Sequence, residues 1–397
     1  MILDVRAPFG HPMLTHWALD PDVLYLNHGT VGVAPRRVLA AQRAIRDEVE
    51  RQPSRFLLRE ISGLVGAPRA EPTRLRAAAE AVARFIGARG ADVVFVDNAT
   101  AGANAVLRSF PLRPGDELLV TDHNYGAIAR VAAFVARERG ATVRTAAVPY
   151  PAFNRGRLLE AIERALTPKT RLAVIDHITS ESAIVFPIAE IAGLCRRHGV
   201  ALLVDGAHAP GVLPLDVPAI GADWYVANLH KWAHAPRSCG ILWADPARQA
   251  GLHPAVVSWG LDQGYLAEFD WVGTRDPSAW LAAPEGLAFL QDLGFEAVRT
   301  YNHDLAVRGA RLLAERWGTT FAIDAADLGF MATVPLHPRH GDSADQATRL
   351  RDRLLFEDRI EVHAHAGHGR LWVRFSAQVY NAWSDLERLG DAVATSV

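Results

Sequence analysis

The chain alternates short apolar segments with amphipathic ones, and this alternation limits its possible folds more than any other feature. Apolar runs rich in β-branched residues lie at 93–96, 117–121, 142–148, 171–175, 201–204 and 240–243. Helical patterns lie before or between them at 75–88, 127–140, 157–166 and 188–199. Strands that alternate with helices predict an α/β fold, in which a mostly parallel sheet is covered by helices on both faces. The continuous apolar character of the runs is typical of strands that are buried on both sides.

The pattern changes near Pro284, after which long helices dominate. Helices are predicted at 285–293, 295–317, 344–357 and 384–395, with strands near 329–335 and at 370–376. This indicates a second, smaller α/β domain. We therefore expect an N-terminal arm (1–20), a large domain (21–284) and a small C-terminal domain (285–397).

The composition argues against several classes of protein. The 42 Lys and Arg residues nearly balance the 44 Asp and Glu residues, for a net charge of -2, which argues against a nucleic-acid partner. We see no apolar segment near the ~18–20 residues of a membrane span, and no signal peptide at the N-terminus. The two cysteines, Cys195 and Cys239, are too few for a disulfide framework and too far apart for a CxxC site. A reduced, cytoplasmic location is expected.

An acid and a lysine follow neighbouring predicted strands. Asp205 ends one buried strand, and Lys231 follows the end of the next, in the segment 224–236. Asp205 could simply cap a helix, and Lys231 could be a solvated surface residue. However, the only other lysine is Lys169, and Lys231 lies between an apolar strand and Trp232. A lysine at the mouth of an α/β sheet can form a Schiff base when its pKa is lowered.

These groups together predict the cofactor pyridoxal 5′-phosphate (PLP). PLP needs a lysine for its aldehyde and a carboxylate against its pyridine nitrogen. It also needs a phosphate site, which the segment 93–107 offers, because a strand ends there at Asn98-Ala99-Thr100 and a helix of small residues begins. Amides at a helix N-terminus, with a hydroxyl group, bind phosphate. The same residues are also typical of an ordinary helix cap.

Motifs along nearly the whole chain resemble those of one enzyme family. They lie at 25–39, 95–104, 120–127, 175–180, 204–216, 225–232, 268–281 and 372–381. The chain resembles the isopenicillin N epimerase-like branch of the class V aminotransferase family, which is related to the cysteine desulfurases. The resemblance implies the PLP-dependent transferase fold (fold type I), with a mostly parallel seven-stranded sheet. It also implies a homodimer with its active site at the subunit interface.

The resemblance assigns roles around the cofactor ring. Lys231 matches the Schiff-base lysine, and Asp205 matches the partner of the pyridine nitrogen. His208 matches a group that contacts the 3′-oxygen. His123 matches the residue stacked over the ring, with Tyr125 as a lesser candidate for that role.

The phosphate group has its own set of matching residues. Thr100 and the amide of Ala99 match one side of the phosphate site, and Asn228 and His230 match the other. Thr274 matches a phosphate contact donated by the neighbouring subunit.

Further matches concern the substrate. Arg374 matches the arginine that binds a substrate α-carboxylate, a role suited to its planar fork, although it could also be a surface arginine on a strand. Asn27 and His28 are expected on the substrate side, and Ser180 near the cofactor oxygen or the substrate. Separately, two arginines in the segment 51–60 could hold a second carboxylate or form ion pairs on a helix surface. These are Arg55 and Arg59.

A cluster of histidines allows two interpretations. His363, His365 and His368 have a spacing that could ligate zinc. The matching loop of the family faces the PLP site, so His365 could instead contact the substrate or donate a proton. We favour this second interpretation and expect no metal. In the cysteine desulfurases this loop carries the nucleophilic cysteine, which is missing here.

The resemblance implies a small-molecule amino acid as the substrate, or a peptide-like compound of secondary metabolism. The free amine of Lys231 can remove the Cα proton of such a substrate. Epimerisation at Cα is the leading expectation. Elimination of a β-sulfur substituent from a cysteine S-conjugate is the second, and transamination is the third.

Overall fold

Twelve strands form the framework of the molecule in a computed structural model that describes residues 9–61 and 72–395. In chain order they are β1 (Leu24–Tyr25), β2 (Val93–Val96), β3 (Glu117–Thr121), β4 (Thr142–Ala146), β5 (Thr170–Asp176), β6 (Ala201–Asp205), β7 (Trp224–Asn228), β8 (Gly240–Ala244), β9 (Met331–Pro335), β10 (Ile360–Glu361), β11 (His363–Gly367) and β12 (Arg370–Ser376). Seven of them, β2 to β8, form one sheet in the order β2-β8-β7-β6-β5-β3-β4.

The large sheet is mostly parallel. All its pairings are parallel except those of β8, which runs antiparallel to both β2 and β7. Every residue of β2, β6, β7 and β8 is buried, as expected for strands covered on both faces. The structure thus confirms the predicted α/β fold and its mostly parallel seven-stranded sheet.

Helices cover the sheet and build much of the rest of the molecule. The longer ones are α1 (Arg36–Arg51), α2 (Arg74–Phe85), α3 (Ala99–Ser109), α4 (Gly126–Glu138), α5 (Arg155–Ala165), α6 (Ile188–Arg197), α7 (Ala283–Leu293), α8 (Phe295–Arg316), α9 (Ala344–Phe356) and α10 (Trp383–Ala394). In the described part of the chain, no helix is long and apolar enough to cross a membrane.

A second sheet carries the C-terminal part of the chain. It has the order β11-β12-β9 and is antiparallel throughout. The short strand β1, near the N-terminus, pairs with β10 in parallel, and Leu26 belongs to the same apolar core as α9 and β12. This pairing ties an early segment to the C-terminal sheet. The division at residue 284 stays a prediction.

The expected N-terminal arm falls partly outside the described residues, which begin at Phe9. From there, a short 3-10 helix spans His11–His16. Trp17 is buried in the main core, and its indole N–H donates to the carbonyl of Val33 at 3.1 Å. The described part of this segment therefore packs on the body of the protein.

The segment 363–367 forms a strand, whereas the sequence interpretation expected a loop. β11 pairs antiparallel with β12, and His365 lies opposite Trp372. The sequence His-Ala-His-Ala alternates large and small side chains with the period of two that defines a strand. Ala364 packs into the core of this sheet, and His363 and His365 point to its other face.

Candidate active site

Polar side chains converge where β6, β7 and β5 end beside the start of α3. They surround a cavity of about 280 Å³. The lining includes Asn98, Ala99, Thr100, Tyr125, Asp176, Ser180, Asp205, His208, Asn228, His230 and Lys231. Ligands of open α/β sheets bind at the carboxyl ends of the strands. The structure therefore brings together most of the residues that the sequence predicted around a cofactor.

Lys231 lines this cavity, and no carboxylate of the described residues is in direct contact with its amine. Its side chain is 8% exposed, and its Nζ lies 2.9 Å from Nε2 of His208. Burial, with the nearby charge of Arg374, lowers the pKa of Lys231 to about 7, although Asp205 partly opposes this shift. A substantial fraction of the amine is therefore unprotonated at neutral pH, as a nucleophile or base requires.

Asp205 ends β6 and accepts a hydrogen bond from the amide of Ala207 at 3.0 Å. Burial raises its pKa, whereas the Ala207 amide and Lys231 favour its ionised form. A second acid, Asp176, lies beside it at the end of β5. Our sequence interpretation missed Asp176, although it carries the same signal as Asp205, an acid at the tip of a buried strand.

The start of α3 differs in one detail from the predicted phosphate site. Asn98 caps the helix by accepting from the amide of Ala101 at 2.9 Å. The amide of Ala99 donates to Oδ1 of Asn228 at 2.8 Å, so this amide already has a partner. The amide and hydroxyl of Thr100 have no such partner among the described residues and are the donors left at this end of the cavity.

His230 completes the wall opposite α3. Its Nδ1 donates to the carbonyl of Cys239 at 3.0 Å, because a carbonyl can only accept. Burial lowers the pKa of His230 to about 4, so the ring is neutral and its Nε2 is an acceptor.

A second cavity, of about 670 Å³, adjoins the first and shares Lys231 and Ser180 with it. His123 lines this space, and its Nδ1 lies 2.7 Å from the hydroxyl of Ser182. Ser182 in turn lies 2.7 Å from the hydroxyl of Thr179. This chain of hydroxyl groups fixes the orientation of the His123 ring. Burial lowers the pKa of His123 to about 4.

Arg374 lies at the border of the second cavity, 3% exposed. Its Nη1 donates to the carbonyl of Ser180 at 2.6 Å, and its Nη2 donates to the hydroxyl of Thr30. Its Nε has no partner among the described residues. Burial lowers the pKa of Arg374 to about 10, which still leaves the guanidinium charged at neutral pH. A buried, charged and incompletely paired guanidinium suits a carboxylate ligand.

Asn27 and His28, expected on the substrate side, line neither cavity and instead contact Arg374 and the backbone of Lys231. Asn27 donates to Glu361 at 2.7 Å, and its Oδ1 accepts from Nη2 of Arg374 at 3.5 Å. His28 is fully buried; its Nε2 donates to the carbonyl of Lys231 at 3.0 Å. Burial lowers its pKa to about 4, so its neutral Nδ1 accepts from the hydroxyl of Tyr380 at 2.9 Å.

The histidines of β11 line the second cavity. The rings of His363 and His365 stack with their centroids 5.5 Å apart, and His368 follows in the turn to β12. Burial lowers the pKa of His363 to about 3 and that of His365 to about 4. No group of three or more His, Cys, Asp or Glu side chains within residues 9–61 and 72–395 could hold a metal ion.

The two cysteines lie elsewhere. Cys195 and Cys239 are both unpaired and buried, and neither lines the second cavity. Burial raises the pKa of Cys195 to about 12 and raises that of Cys239 as well. Both thiols are therefore protonated at neutral pH and poorly suited to act as nucleophiles.

Three further predicted residues lie outside the cavities. Thr274 is exposed and lines neither of them. Arg55 forms an ion pair with Glu60 at 2.6 Å, and Arg59 donates to the carbonyl of Ser54 at 3.3 Å. Both arginines therefore make local contacts on the helix surface, as in the second of the two predicted alternatives. Our sequence interpretation also missed Thr30 and Ser182, single hydroxyl groups with no motif chemistry of their own.

The first cavity fits PLP. It offers a buried amine of lowered pKa, a buried carboxylate on the adjacent strand, and free donors at the start of a helix. Nδ1 of His208 is also buried without a partner among the described residues. In a complex with PLP, Lys231 would bind the aldehyde and Asp205 would pair with the ring nitrogen. His208 would contact the ring oxygen, and Thr100 would bind the phosphate. The fold and this donor set define a PLP-dependent enzyme.

Comparisons with known proteins give the family. The sequence profile of the family "Aminotransferase class-V" matches residues 67–389 of this chain. The chain is 33% identical to an isopenicillin N epimerase of Streptomyces clavuligerus, over 94% of this chain and 95% of that one. It is 32% identical to an L-cysteine desulfhydrase of Arabidopsis thaliana, over 99% of this chain and 90% of that one. The chain therefore belongs to the class V aminotransferase family of PLP-dependent enzymes.

A solved structure supports the fold. A variant of C-DES, with glycine covalently linked to its PLP cofactor, superimposes with a TM-score of 0.78 over 97% of this chain and 98% of that one. The two sequences are 22% identical, so this likeness concerns the fold alone. It agrees with the predicted PLP-dependent transferase fold.

Proposed function

We propose that this enzyme removes the Cα proton of an amino acid or peptide-like substrate and epimerises it. One observation carries the proposal. Lys231, a buried amine whose pKa is about 7, shares a cavity with Arg374, a buried guanidinium that has an unpaired Nε. A base and a carboxylate-binding group in one cavity suit an α-amino acid.

Each group has a separate task. Arg374 binds the α-carboxylate, and the carbonyl of Ser180 and the hydroxyl of Thr30 keep its planar fork in place. Lys231 takes the Cα proton, because a pKa of about 7 leaves a substantial fraction of its amine unprotonated at neutral pH. His208 accepts a hydrogen bond from the amine and orients it. PLP, when bound, supplies the electron sink that stabilises negative charge at Cα.

Epimerisation also needs a group that returns a proton from another direction. The second cavity offers imidazoles for this role, and His123 is the best oriented of them, because Ser182 fixes its Nδ1. The similarity to an isopenicillin N epimerase supports this outcome.

The second candidate is C–S β-elimination. Its support is that Lys231 is an amine poised between its two protonation states at neutral pH. It can therefore take the Cα proton and later return a proton to a departing sulfur from the same side. The similarity to an L-cysteine desulfhydrase is consistent with this reaction.

One experiment separates the outcomes. The holoenzyme is incubated in D₂O with L- and D-amino acids, isopenicillin-type peptides and cysteine S-conjugates, and the products are analysed by chiral chromatography and mass spectrometry. We expect deuterium at Cα with inversion, and no release of pyruvate or thiol. Pyruvate with thiol would instead establish the lyase, and a keto acid would establish transamination. No exchange with any substrate would reject the proposal of Cα chemistry.

We further propose that two copies of the chain form a dimer in which Thr274 contacts the phosphate site of the partner. Four large apolar side chains are exposed on the segment before Thr274: Val256, Val257, Trp259 and Leu261. Trp259 is 76% exposed, which is unusual for so large an apolar ring. Light scattering should give the mass of a dimer, and Trp259→Glu should shift it toward a monomer. A wild-type monomer would refute this arrangement.

A cytoplasmic location is our remaining proposal. Both cysteines are unpaired and buried, as is usual for proteins of a reducing compartment. Cell fractionation with an antibody to the native protein would test it.

A further inference from the structure

Two buried acids lie side by side at the floor of the cofactor cavity. Asp176 ends β5, Asp205 ends β6, and the two residues are direct partners in the register of these parallel strands. Each is 2% exposed, and both line the first cavity. Two carboxylates this close, away from water, would repel each other strongly if both were ionised.

Asp176 and Asp205 can satisfy each other only if they share a proton. The buried Oδ2 of Asp176 has no hydrogen-bond partner among the described residues, and Asp205 occupies the paired position on the adjacent strand. Ionised carboxylates only accept, so the two groups can hydrogen-bond to each other only when one of them is protonated. A proton held between them would satisfy this buried oxygen.

The surroundings decide which acid keeps the proton. Asp205 accepts a hydrogen bond from the amide of Ala207, and Lys231 lies near the Asp205 carboxylate. Both stabilise the negative charge of Asp205. Burial, followed by the charge of Asp205, raises the pKa of Asp176 well above its usual range. Lys231 and the Tyr125 amide oppose that rise less strongly. The proton therefore belongs on Asp176.

We propose that Asp176 is a positioning residue that stays protonated at neutral pH and donates a hydrogen bond to Asp205. The pair then carries one negative charge, which sits on Asp205 and is aimed by its two donors, the Ala207 amide and the Asp176 carboxyl. A carboxylate fixed in this way would pair with the pyridine nitrogen of bound PLP without having to reorient. The inference rests on the cofactor and not on which reaction follows at Cα.

The first test uses apoprotein, so that turnover plays no part. Infrared spectra at pH 8 should show the carbonyl band of a buried protonated carboxyl group. Asp176→Asn should remove this band, and Thr170→Val, a buried polar position at the other end of β5, should keep it. If wild type lacks the band, or if Asp176→Asn retains it, the assignment is wrong.

The pH dependence of stability gives an independent test. The unfolded chain releases the Asp176 proton above about pH 3.8, whereas the folded chain keeps it, so folding loses stability as the pH rises from there. Asn cannot ionise, so the melting temperature of Asp176→Asn should increasingly exceed that of wild type between pH 4 and pH 8. The groups that face Asp176, namely Asp205, Lys231 and the Tyr125 amide, are the same in both proteins. A constant gap would contradict the proposal.

Affinity for PLP tests the positioning role itself. Asn keeps a neutral donor of nearly the same shape, so Asp176→Asn should bind PLP within about threefold of wild type. Asp176→Ala has no donor, and its dissociation constant should rise about tenfold, as expected when a charged group loses one hydrogen bond. Equal losses in the two variants would show that Asp176 acts only through packing.

Discussion

The two walls of the active site are built differently. The cofactor wall consists of residues at the ends of β5, β6 and β7. Every residue of these strands is buried except Arg171, near the start of β5. The substrate wall includes β11, a strand of the three-stranded sheet. Within β11, only Ala364 is buried. One wall is thus fixed by the main core of the protein, and the other is fixed mainly by a hairpin.

This difference matches the chemistry of the two walls. Cofactor binding needs the same few groups whatever the reaction, and Asp205 and Lys231 are held by backbone that cannot shift without disturbing the sheet. The histidines of β11 depend on a two-strand pairing, where a side chain can change at little cost to the core. We infer that the cofactor wall sets the class of reaction, and that the hairpin wall sets the substrate.

The largest expected effect falls on the cofactor wall. Lys231→Ala should lower turnover about 10⁴-fold or more, because it removes both the covalent attachment of PLP and the base. Borohydride reduction followed by mass spectrometry should find PLP attached to wild type and not to the variant. Lys169→Ala, the other lysine of the chain, should behave like wild type.

If PLP still became attached to Lys231→Ala after reduction, the lysine assignment would be wrong. Circular dichroism would show whether the variant remains folded. We expect it to, because the direct side-chain contact of Lys231 among the described residues is with the neutral ring of His208 and not with a carboxylate.

A smaller effect is expected at the border between the walls. Arg374→Lys keeps the charge but loses the planar fork, so kcat/KM should fall about 10- to 100-fold, mostly through KM. Arg370→Lys, at the other end of β12, is the matched control because it lines neither cavity. Steady-state kinetics would measure both variants. An unchanged KM in Arg374→Lys would remove this residue from carboxylate binding.

The same contrast explains what the sequence could predict. The apolar runs located six of the seven strands of the large sheet to within about two residues, and several of the polar residues at strand ends were found with them. Asp176 was missed because its strand offered no lysine or glycine nearby to mark it. The hairpin was missed because β11 is short and its alternating residues are His and Ala, neither of which is a strong strand former.

The contacts between distant segments could not be predicted from any local pattern. Thr30 reaches Arg374 across 344 positions, and the amide of Ala99 meets Asn228 only because α3 begins beside β7. Likewise, β1 pairs with β10 although one lies near the start and the other near the end of the chain. Such pairings depend on tertiary packing, and a hydroxyl or amide carries no sign of its partner.

The smallest effect is expected on the hairpin wall, at His365. Its ring lines the second cavity, and its Nδ1 is buried without a partner among the described residues. Because burial keeps the imidazole neutral, it can supply one hydrogen bond and ring contact but no charge. His365→Ala should therefore reduce kcat/KM about 3- to 20-fold, in the range of one neutral hydrogen bond. Its zinc content, measured by mass spectrometry, should equal that of wild type.

The pattern across substrates is more informative than the size of this effect. If the hairpin wall selects the substrate, His365→Ala should change the ranking of amino acids by kcat/KM while leaving PLP binding intact. His198→Ala, a partly exposed histidine at the end of α6 that lines neither cavity, should change neither. A uniform loss for every substrate would instead place His365 with the residues of the cofactor wall, and the division between the two walls would fail. Unchanged turnover and unchanged zinc content together would deny His365 either of the roles that its position in the sequence suggested.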